Sequence, residues 1–225
     1  MRRYEAAVPP TTCCSLDFGG LEITYDERVL EPRPWTLLQS RWAEELSARL
    51  PEGPVLELCS GAGHIGLAAV SGTDRRLVQV DLNPAACELA AHNAAVAGLA
   101  ERVEVRCGDL AEAVDEHERF PLVLADPPYL PSDELSLYPQ DPTLAIDGGT
   151  DGLRVLHACV ELLTRVLEQD GLALVQLLGE AQATTLRGQL PDGLELREVR
   201  SHDPRRAVAL LGRAPTSHRQ EHQEP

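Results

Sequence analysis

The stretch ELCSGAGHIG, at positions 57–66, follows a short apolar run, and its glycine spacing decides which fold the chain can adopt. Gly61, Gly63 and Gly66 form a G-x-G-x-x-G pattern, in which glycines allow a tight turn and a close approach of a ligand to the backbone. A turn of this kind joins the first strand of a parallel sheet to the helix that follows it. The stretch therefore predicts an α/β fold with a ligand site at the end of that strand.

Strand-like and helix-like segments alternate on both sides of this turn. Short apolar runs rich in Val and Leu lie at 53–59, 76–81, 102–107, 120–125 and 171–178. Helical patterns lie at 36–50, 63–71, 83–98 and 152–169. This alternation predicts a parallel sheet with helices on both faces. The segment 194–213 is predicted as two strands joined by a turn at Asp203-Pro204, which adds antiparallel edge structure.

Composition limits the class of protein. The 225 residues, of which 43% are hydrophobic, suffice for one large domain or one domain with a small appendage. No apolar run has the length of a membrane span, and the first residues lack the apolar stretch of a secretory signal, so we expect a cytoplasmic protein. The six cysteines show no C-x-x-C spacing, which predicts reduced thiols and no metal site. The net charge of −16 opposes a large nucleic-acid interface, because phosphate contacts dominate such binding.

Polar segments follow four of the predicted strands, where ligands of parallel sheets bind. After ELCSGAGHIG come VDLNP at 80–84, CGDL at 107–110 and ADPPY at 125–129. Their candidate cofactor-binding residues are Glu57, Ser60, Gly61, Gly63, Asp81, Leu82, Asn83, Asp109, Leu110 and Asp126.

Two cofactor classes fit these segments. Asp81 lies 20 residues after Gly61, which satisfies the dinucleotide fingerprint and keeps an NAD(P)-dependent oxidoreductase as an alternative. Glu57 would repel a pyrophosphate, but it suits the cationic end of S-adenosylmethionine. Asp81 would then bind the ribose of that cofactor, and Asp109 would address its adenine.

The segment ADPPY predicts a rigid corner after a buried strand. Prolines cannot continue a sheet, and the residue before a proline is held in an extended conformation. The Asp126 carboxylate and the Pro127 carbonyl would accept both hydrogens of an acceptor nitrogen, with Pro128 locking their direction and Tyr129 stacking on a planar group. These four residues are the predicted catalytic site of a methyl transfer to nitrogen.

The motifs together resemble class I S-adenosylmethionine-dependent methyltransferases, and among them the HemK-type release factor glutamine N5-methyltransferases. The resemblance runs from about Val29 to Gly212. VLEPRPWT at 29–36 is similar to V-L-x-P-R-P-E-T of that family, DPPYL to its N-P-P-Y, and LAIDGGTDGL at 144–153 to its A-L-x-G-G-x-D-G-L loop.

This resemblance implies a Rossmann-like fold with a mixed seven-stranded sheet in the order 3-2-1-4-5-7-6. It divides the chain into an N-terminal extension (1–28) and a methyltransferase domain (29–213), and the polar composition of residues 214–225 predicts a disordered tail. It also implies S-adenosylmethionine as the cofactor and a protein glutamine, as in a peptide-chain release factor, as the acceptor. The residues it places at the substrate are Pro34, Thr36, Gly148 and Gly149.

Three departures from the family pattern bear on the acceptor. Asp126 replaces the usual Asn, and Trp35 replaces the Glu of P-R-P-E-T. Only about 30 residues precede the P-R-P motif, where bacterial members carry a recognition domain, so a small activating partner protein is one expectation. Asp126 and the arginine-rich segment 197–219 favour a nucleobase amine as an alternative acceptor, and the missing domain favours a small-molecule amine.

Overall fold

The computed structural model describes residues 2 and 3 at the level of the backbone and residues 13–215 in full. Its strands are β1 (Arg2–Arg3), β2 (Cys14–Phe18), β3 (Leu21–Tyr25), β4 (Val55–Leu58), β5 (Leu77–Asp81), β6 (Val103–Cys107), β7 (Phe120–Ala125), β8 (Leu167–Leu177), β9 (Leu194–Asp203) and β10 (Arg206–Arg213). Its α-helices are α1 (Leu37–Ser47), α2 (His64–Ser71), α3 (Pro84–Val96), α4 (Leu110–Ala113), α5 (Thr143–Ile146), α6 (Arg154–Val166) and α7 (Gly179–Gln189). Short 3-10 turns lie at Pro34–Thr36, Ala100–Arg102 and Ser132–Leu137.

Eight of the described strands form one mixed sheet in the order β1-β6-β5-β4-β7-β8-β10-β9. Strands β4 to β8 are parallel, and β10 pairs antiparallel with both β8 and β9. Numbered from β4, the seven main strands follow the order 3-2-1-4-5-7-6, which confirms the predicted fold class. The sheet has one strand more than predicted, because Arg2 and Arg3 pair with the edge strand β6. A strand of two residues is too short to produce a periodic hydrophobic pattern in the sequence.

Both faces of the sheet are buried. Along β4, Leu56 and Leu58 belong to a core formed with α6, whereas Val55 belongs to a second core formed with α1 and α2. Since side chains alternate between the faces of a strand, a strand covered on both sides is apolar throughout. The parallel strands therefore read in the sequence as short continuous apolar runs.

The predicted end of the helix before β8 is wrong. The helical pattern at 152–169 extends the helix to residue 169, whereas α6 ends at Val166 and β8 begins at Leu167. Leu167 is buried and pairs with Phe120 of β7. Its apolar side chain continues the periodicity of the helix, so the pattern alone does not show that the backbone has joined the sheet.

A β-hairpin, made of β2 and β3, packs against α3 through Asn93. The Asn93 side chain accepts a hydrogen bond from the Thr24 amide (2.8 Å) and donates to the carbonyls of Thr24 and Ala62 (2.9 Å each). Asn93 is fully buried, and it joins the hairpin to the glycine turn. The division of the chain at residue 29 stays a prediction. The expected disordered tail lies outside the described residues, apart from residues 214 and 215.

Replacement of Asn93 by alanine is expected to lower the free energy of unfolding by about 2–4 kcal/mol, because two backbone carbonyls and one amide lose their partner inside the core. Chemical denaturation measures this change. Replacement of the exposed Val96, on the same helix, by alanine is the matched control. A loss below about 0.5 kcal/mol for the Asn93 variant, the usual range of surface substitutions, would contradict the bridging role.

No helix in residues 13–215 combines the length and the apolar character that a membrane span requires.

Candidate active site

A cavity of about 610 Å³ lies beyond the C-terminal ends of β4 to β7. A second cavity, of about 360 Å³, lies beside it. We refer to them as the larger and the smaller cavity. Asp126 lines both of them, at the point where β7 ends.

The glycine turn between β4 and α2 takes a conformation that its sequence favours. Gly61 and Gly63 have φ of 54° and 81°, in the left-handed region that glycine adopts without strain. A Cβ atom on Gly63 would lie 2.6 Å from Nε2 of Gln79, so this position has no room for a side chain. Cys59, with φ of 56°, adopts the same region as a non-glycine residue, which indicates local strain at the edge of the larger cavity.

The backbone amides of the three glycines are already hydrogen-bonded to acceptors of the chain itself. Gly61 donates to Oδ2 of Asp81 (2.8 Å), Gly63 donates to the Ser60 carbonyl (2.8 Å), and Gly66 donates to Oε1 of Glu57 (3.0 Å). In dinucleotide-binding folds this turn and the helix N-terminus approach a pyrophosphate. The three glycine amides are therefore not free to bind a pyrophosphate.

Glu57 lies beneath the turn and does not line either cavity. Its carboxylate accepts from the Gly66 amide and from Nε2 of Gln79, the latter at 2.6 Å. Burial raises the pKa of Glu57 to about 8. The direct cofactor contact predicted for Glu57 has no geometric support, because the strand points this side chain into the protein, where it holds the turn.

The residues predicted at the end of β5 and after β5 and β6 do line the larger cavity: Asp81, Leu82, Asn83, Asp109 and Leu110. The Asp81 carboxylate accepts from the amides of Gly61 and Asn83, and burial raises its pKa. Each oxygen keeps a lone pair for a further donor. Leu82 leaves 58% of its surface exposed, which is unusual for a leucine and offers an apolar face to a planar ligand.

Asp126 follows β7 directly, and its amide donates to the Leu58 carbonyl of β4 (3.3 Å). Its carboxylate accepts no hydrogen bond from any described residue of the chain. Burial raises the pKa of Asp126 to about 7. Pro127 lines the smaller cavity and Pro128 the larger one, so the two prolines form the partition between them.

The smaller cavity has an aromatic wall, formed by Trp35, Tyr129 and Tyr138. The Arg206 guanidinium stacks on the Trp35 ring, 3.6 Å from its centroid, and forms an ion pair with Asp203 (2.7 Å). Burial raises the pKa of Tyr129, so its phenol stays protonated. The wall is therefore apolar and uncharged close to Asp126 and charged at its rim.

Of the predicted substrate-binding residues, only Thr36 lines the smaller cavity; Pro34, Gly148 and Gly149 line neither cavity. The two glycines instead fix the loop after Tyr129. Gly148 donates to the Leu130 carbonyl (2.9 Å), and the Gly149 carbonyl accepts from the Ser132 amide (2.9 Å). The predicted contact of Gly148 and Gly149 with the substrate therefore has no geometric support. The backbone groups of both glycines form hydrogen bonds within the loop.

His64 and Arg33 line the larger cavity but are not among the site residues predicted from the sequence. His64 stands inside the glycine pattern, where the backbone alone draws attention. Arg33 belongs to the P-R-P motif and forms an ion pair with Asp141 (2.6 Å), 108 residues later. The P-R-P motif could have pointed to Arg33 as a site residue. Nothing in the sequence, however, indicates that Asp141 is its ion-pair partner.

Comparisons with known proteins identify the family. Residues 39–140 match the family model described as Conserved hypothetical protein 95. The ribosomal protein uL3 glutamine methyltransferase of Bradyrhizobium diazoefficiens is 34% identical over 165 residues, which are 68% of this chain and 51% of that protein. The release factor glutamine methyltransferase of Mycolicibacterium smegmatis is 33% identical over 195 residues, which are 83% of this chain and 67% of that protein. The chain belongs to the glutamine methyltransferase family.

This family membership confirms the resemblance carried by the D-P-P-Y and G-G-x-D-G-L motifs. The chain spans about half to two thirds of the length of the family members it matches. Among solved structures, the Pyrococcus abyssi tRNA (uracil-54, C5)-methyltransferase in complex with S-adenosyl-L-homocysteine shares the fold. It has a TM-score of 0.61 and 18% identity, covering 88% of this chain and 44% of that one.

The larger cavity fits the cofactor of the methyltransferase family. Its wall carries the carboxylates of Asp81, Asp109 and Asp126, which suit hydroxyl and ammonium donors and a positively charged sulfur. Ser60 Oγ is buried at this wall and has no hydrogen-bond partner among the described residues. A buried hydroxyl without a partner is rare, so this atom indicates a ligand contact.

Proposed function

We propose that the chain is an S-adenosylmethionine-dependent N-methyltransferase whose acceptor is the side-chain amide of a glutamine in a translation protein. The observation that carries this proposal is the Asp126 carboxylate, which lies half-buried where the two cavities meet and accepts no hydrogen bond from the described residues. A carboxylate at this position can bind the acceptor nitrogen of a substrate in the smaller cavity. The same nitrogen then faces the larger cavity, where the cofactor is proposed to bind. The class of acceptor comes from the family, whose members include methyltransferases named for a release factor and for a ribosomal protein.

S-adenosylmethionine, when bound, supplies a transferable methyl group on a positively charged sulfur. Asp81 would accept hydrogen bonds from the ribose hydroxyls, with Asn83 holding the Asp81 carboxylate in place. Leu82 and Leu110 would cover the adenine, and Asp109 would accept from its amino group. Ser60 and Gly61 would contact the amino-acid part, while Glu57 and Gly63 keep the turn in shape.

The acceptor nitrogen would be held by two acceptors at once. The Asp126 carboxylate and the Pro127 carbonyl bind its two hydrogens, so the remaining direction of the nitrogen faces the larger cavity. When the bond from nitrogen to carbon forms, the nitrogen carries one proton too many, and the Asp126 carboxylate accepts it. A pKa of about 7 makes Asp126 a stronger base than an ordinary aspartate. Tyr129 stacks on the amide plane.

Calorimetry with S-adenosylhomocysteine, NAD and NADP tests the cofactor. We expect micromolar binding of S-adenosylhomocysteine and none of the dinucleotides. Replacement of Asp81 by alanine is expected to weaken binding by about 10-fold to 100-fold, the effect of losing hydrogen bonds to a charged group. Replacement of the exposed Glu27 by alanine removes the same charge away from the site and is the control. An unchanged dissociation constant in the Asp81 variant would refute the ribose contact, and dinucleotide binding would restore the oxidoreductase alternative.

Mass spectrometry identifies the acceptor. Purified chain and S-adenosylmethionine are incubated with a release factor and with ribosomal protein uL3 from the same organism, both isolated without prior methylation. The proposal expects one added methyl group on a single glutamine of one of them. Methylation of neither protein, by a chain that binds the cofactor, would contradict a glutamine acceptor in these two proteins.

A nucleobase amine is the second candidate, favoured by the carboxylate at position 126. The arginines around the smaller cavity give it little support. Arg33, Arg205 and Arg206 pair with Asp141, Glu134 and Asp203 respectively, so the acidic partners reduce their attraction for phosphate. Methylation of bulk RNA or DNA, with the two proteins unmodified, would favour this candidate. A small-molecule amine stays a third possibility for the same assay.

The expected small activating partner belongs to the same proposal. Purified chain that methylates its acceptor alone would remove the need for a partner. Activity restored by a cell extract, and absent without it, would support one. The catalytic unit is proposed to span residues 29–213.

A further inference from the structure

Two residues that line the larger cavity each carry a buried polar atom with no hydrogen-bond partner among the described residues: Ser60 Oγ and Nδ1 of His64. Both residues line that cavity, with 2% and 7% of their surface exposed. Leaving a polar atom buried and unpaired costs free energy, so native proteins rarely do it without a reason. Because both residues line the larger cavity, a ligand bound there can form the missing hydrogen bonds.

The surroundings of His64 fix which ring nitrogen carries the hydrogen. The Thr36 hydroxyl donates its only hydrogen to the Arg33 carbonyl (2.8 Å), so it can only accept from Nε2 of His64, 3.3 Å away. Nε2 is therefore the protonated nitrogen. Burial lowers the pKa of His64 to about 3, which keeps the ring neutral. Nδ1 is left with a lone pair and can only accept a hydrogen bond.

The ring is also fixed in orientation. Phe18 of β2 packs edge-on against it, with the ring centroids 4.7 Å apart and the planes at 89°. The contact with Phe18 on the ring and the contact of Nε2 with Thr36 together hold the imidazole in this orientation.

The order of strands places His64 at one end of the cofactor. Asp81, which ends β5, and Asp109, which follows β6, lie on the adenosine side of the site. His64 begins α2 directly after the glycine turn of β4, and its partner Thr36 lines the smaller cavity together with Asp126. His64 therefore lies on the side where the amino-acid part of the cofactor must be. The α-ammonium group is the hydrogen-bond donor of that part.

We propose that Nδ1 of His64 accepts a hydrogen bond from the α-ammonium group of S-adenosylmethionine and S-adenosylhomocysteine. This inference rests on the proposed cofactor and names a binding residue that the glycine pattern does not reveal. Thr36 acts through His64, because its hydroxyl selects the tautomer that leaves Nδ1 unprotonated.

Calorimetry with two ligands tests the contact. His64→Phe keeps an aromatic ring against Phe18 but removes both nitrogens. It is expected to bind S-adenosylhomocysteine roughly 10-fold more weakly than the wild type. Binding of 5′-methylthioadenosine, which keeps the nucleoside and lacks the amino acid, is expected to be unchanged, and this also shows that the variant folds. His117→Ala, at an exposed histidine, is the control.

A pair of amide variants separates the two ring nitrogens. His64→Asn places an acceptor near the position of Nδ1 and is expected to restore most of the affinity for S-adenosylhomocysteine. His64→Gln places its amide near the position of Nε2 and is expected to bind as weakly as His64→Phe. In the wild type, nitrogen NMR of the imidazole is expected to show an unprotonated Nδ1 and a protonated Nε2.

Three outcomes would overturn the inference while leaving the proposed function intact. One is wild-type affinity of His64→Phe for S-adenosylhomocysteine. The second is equal weakening of both ligands, which would indicate damage to the whole cavity. The third is a proton on Nδ1 in the NMR spectrum. If the wild type itself failed to bind S-adenosylhomocysteine, the cofactor assignment would be overturned. The proposed contact of His64 would be overturned together with it.

Discussion

Replacement of Asp126 by alanine is expected to reduce the rate of methyl transfer by about 10²-fold to 10⁴-fold, the range found for lost general bases and fixed charge-stabilising groups. The variant loses both an acceptor that orients the nitrogen and the base that takes its proton. Affinity for S-adenosylhomocysteine is expected to change only a few-fold, because Asp81 and the glycine turn stay in place. Single-turnover transfer of a labelled methyl group measures the rate, and calorimetry measures the binding.

Asp126→Asn is the matched control for this experiment. Asparagine has the same shape and is the residue usual at this position in the family that the sequence resembles, so its carbonyl oxygen still orients the acceptor. We expect this variant to keep measurable transfer. If the Asp126→Ala variant turned over as fast as the wild type, Asp126 would have no role in the reaction. The proposed mechanism would then be wrong.

The second large effect is a dependence of the rate on pH near neutrality. Only ionised Asp126 can accept a proton, and its pKa is raised to about 7 by burial. The value of kcat/KM is therefore expected to level off above about pH 7 and to fall roughly tenfold for each pH unit below it. Glu57, whose pKa of about 8 reflects its own burial, and Asp81 are the nearby carboxylates with raised pKa values.

The asparagine variant separates these groups, because it keeps Glu57 and Asp81 but cannot ionise at position 126. The fall in kcat/KM near pH 7 should disappear in this variant. Persistence of the same fall would show that Glu57, Asp81 or the substrate is responsible.

Stability offers an independent readout of the same ionisation. An aspartate with a raised pKa in the folded state binds its proton more tightly there than in the unfolded chain. Stability without ligand therefore declines as the pH rises from about 4 to about 7. At pH 8 we expect Asp126→Asn to be more stable than the wild type by about 2–4 kcal/mol, with no such gain at pH 4. Equal stability of the two proteins at pH 8 would contradict the raised pKa.

The fold could be predicted from the sequence because its signals are local. Apolar runs such as 120–125 identify strands buried on both faces, and the glycine turn at 61–66 marks the start of a parallel sheet. Parallel strands bring their C-terminal ends to one edge of the sheet. Residues as far apart as Asp81, Asp109 and Asp126 could thus be assigned to one site before any distance was known.

The tertiary structure decided what each side chain faces. The sequence places Glu57 beside the glycine turn, but only packing against Gln79 turns it inward, away from the cofactor. It also places Gly149 in a loop near the acceptor, but only the backbone pairing with Ser132 shows that the loop is bound to itself.

The contacts that join distant segments were likewise invisible in the sequence. Arg206 stacks on Trp35, and His64 meets Thr36, although 171 and 28 residues separate the members of these pairs. The sequence by itself determined the architecture and the edge of the sheet where the site lies, because turn chemistry and periodicity act between neighbours. Only the folded chain decided tautomer, ionisation and side-chain direction, because these depend on burial and on partners that folding alone brings together.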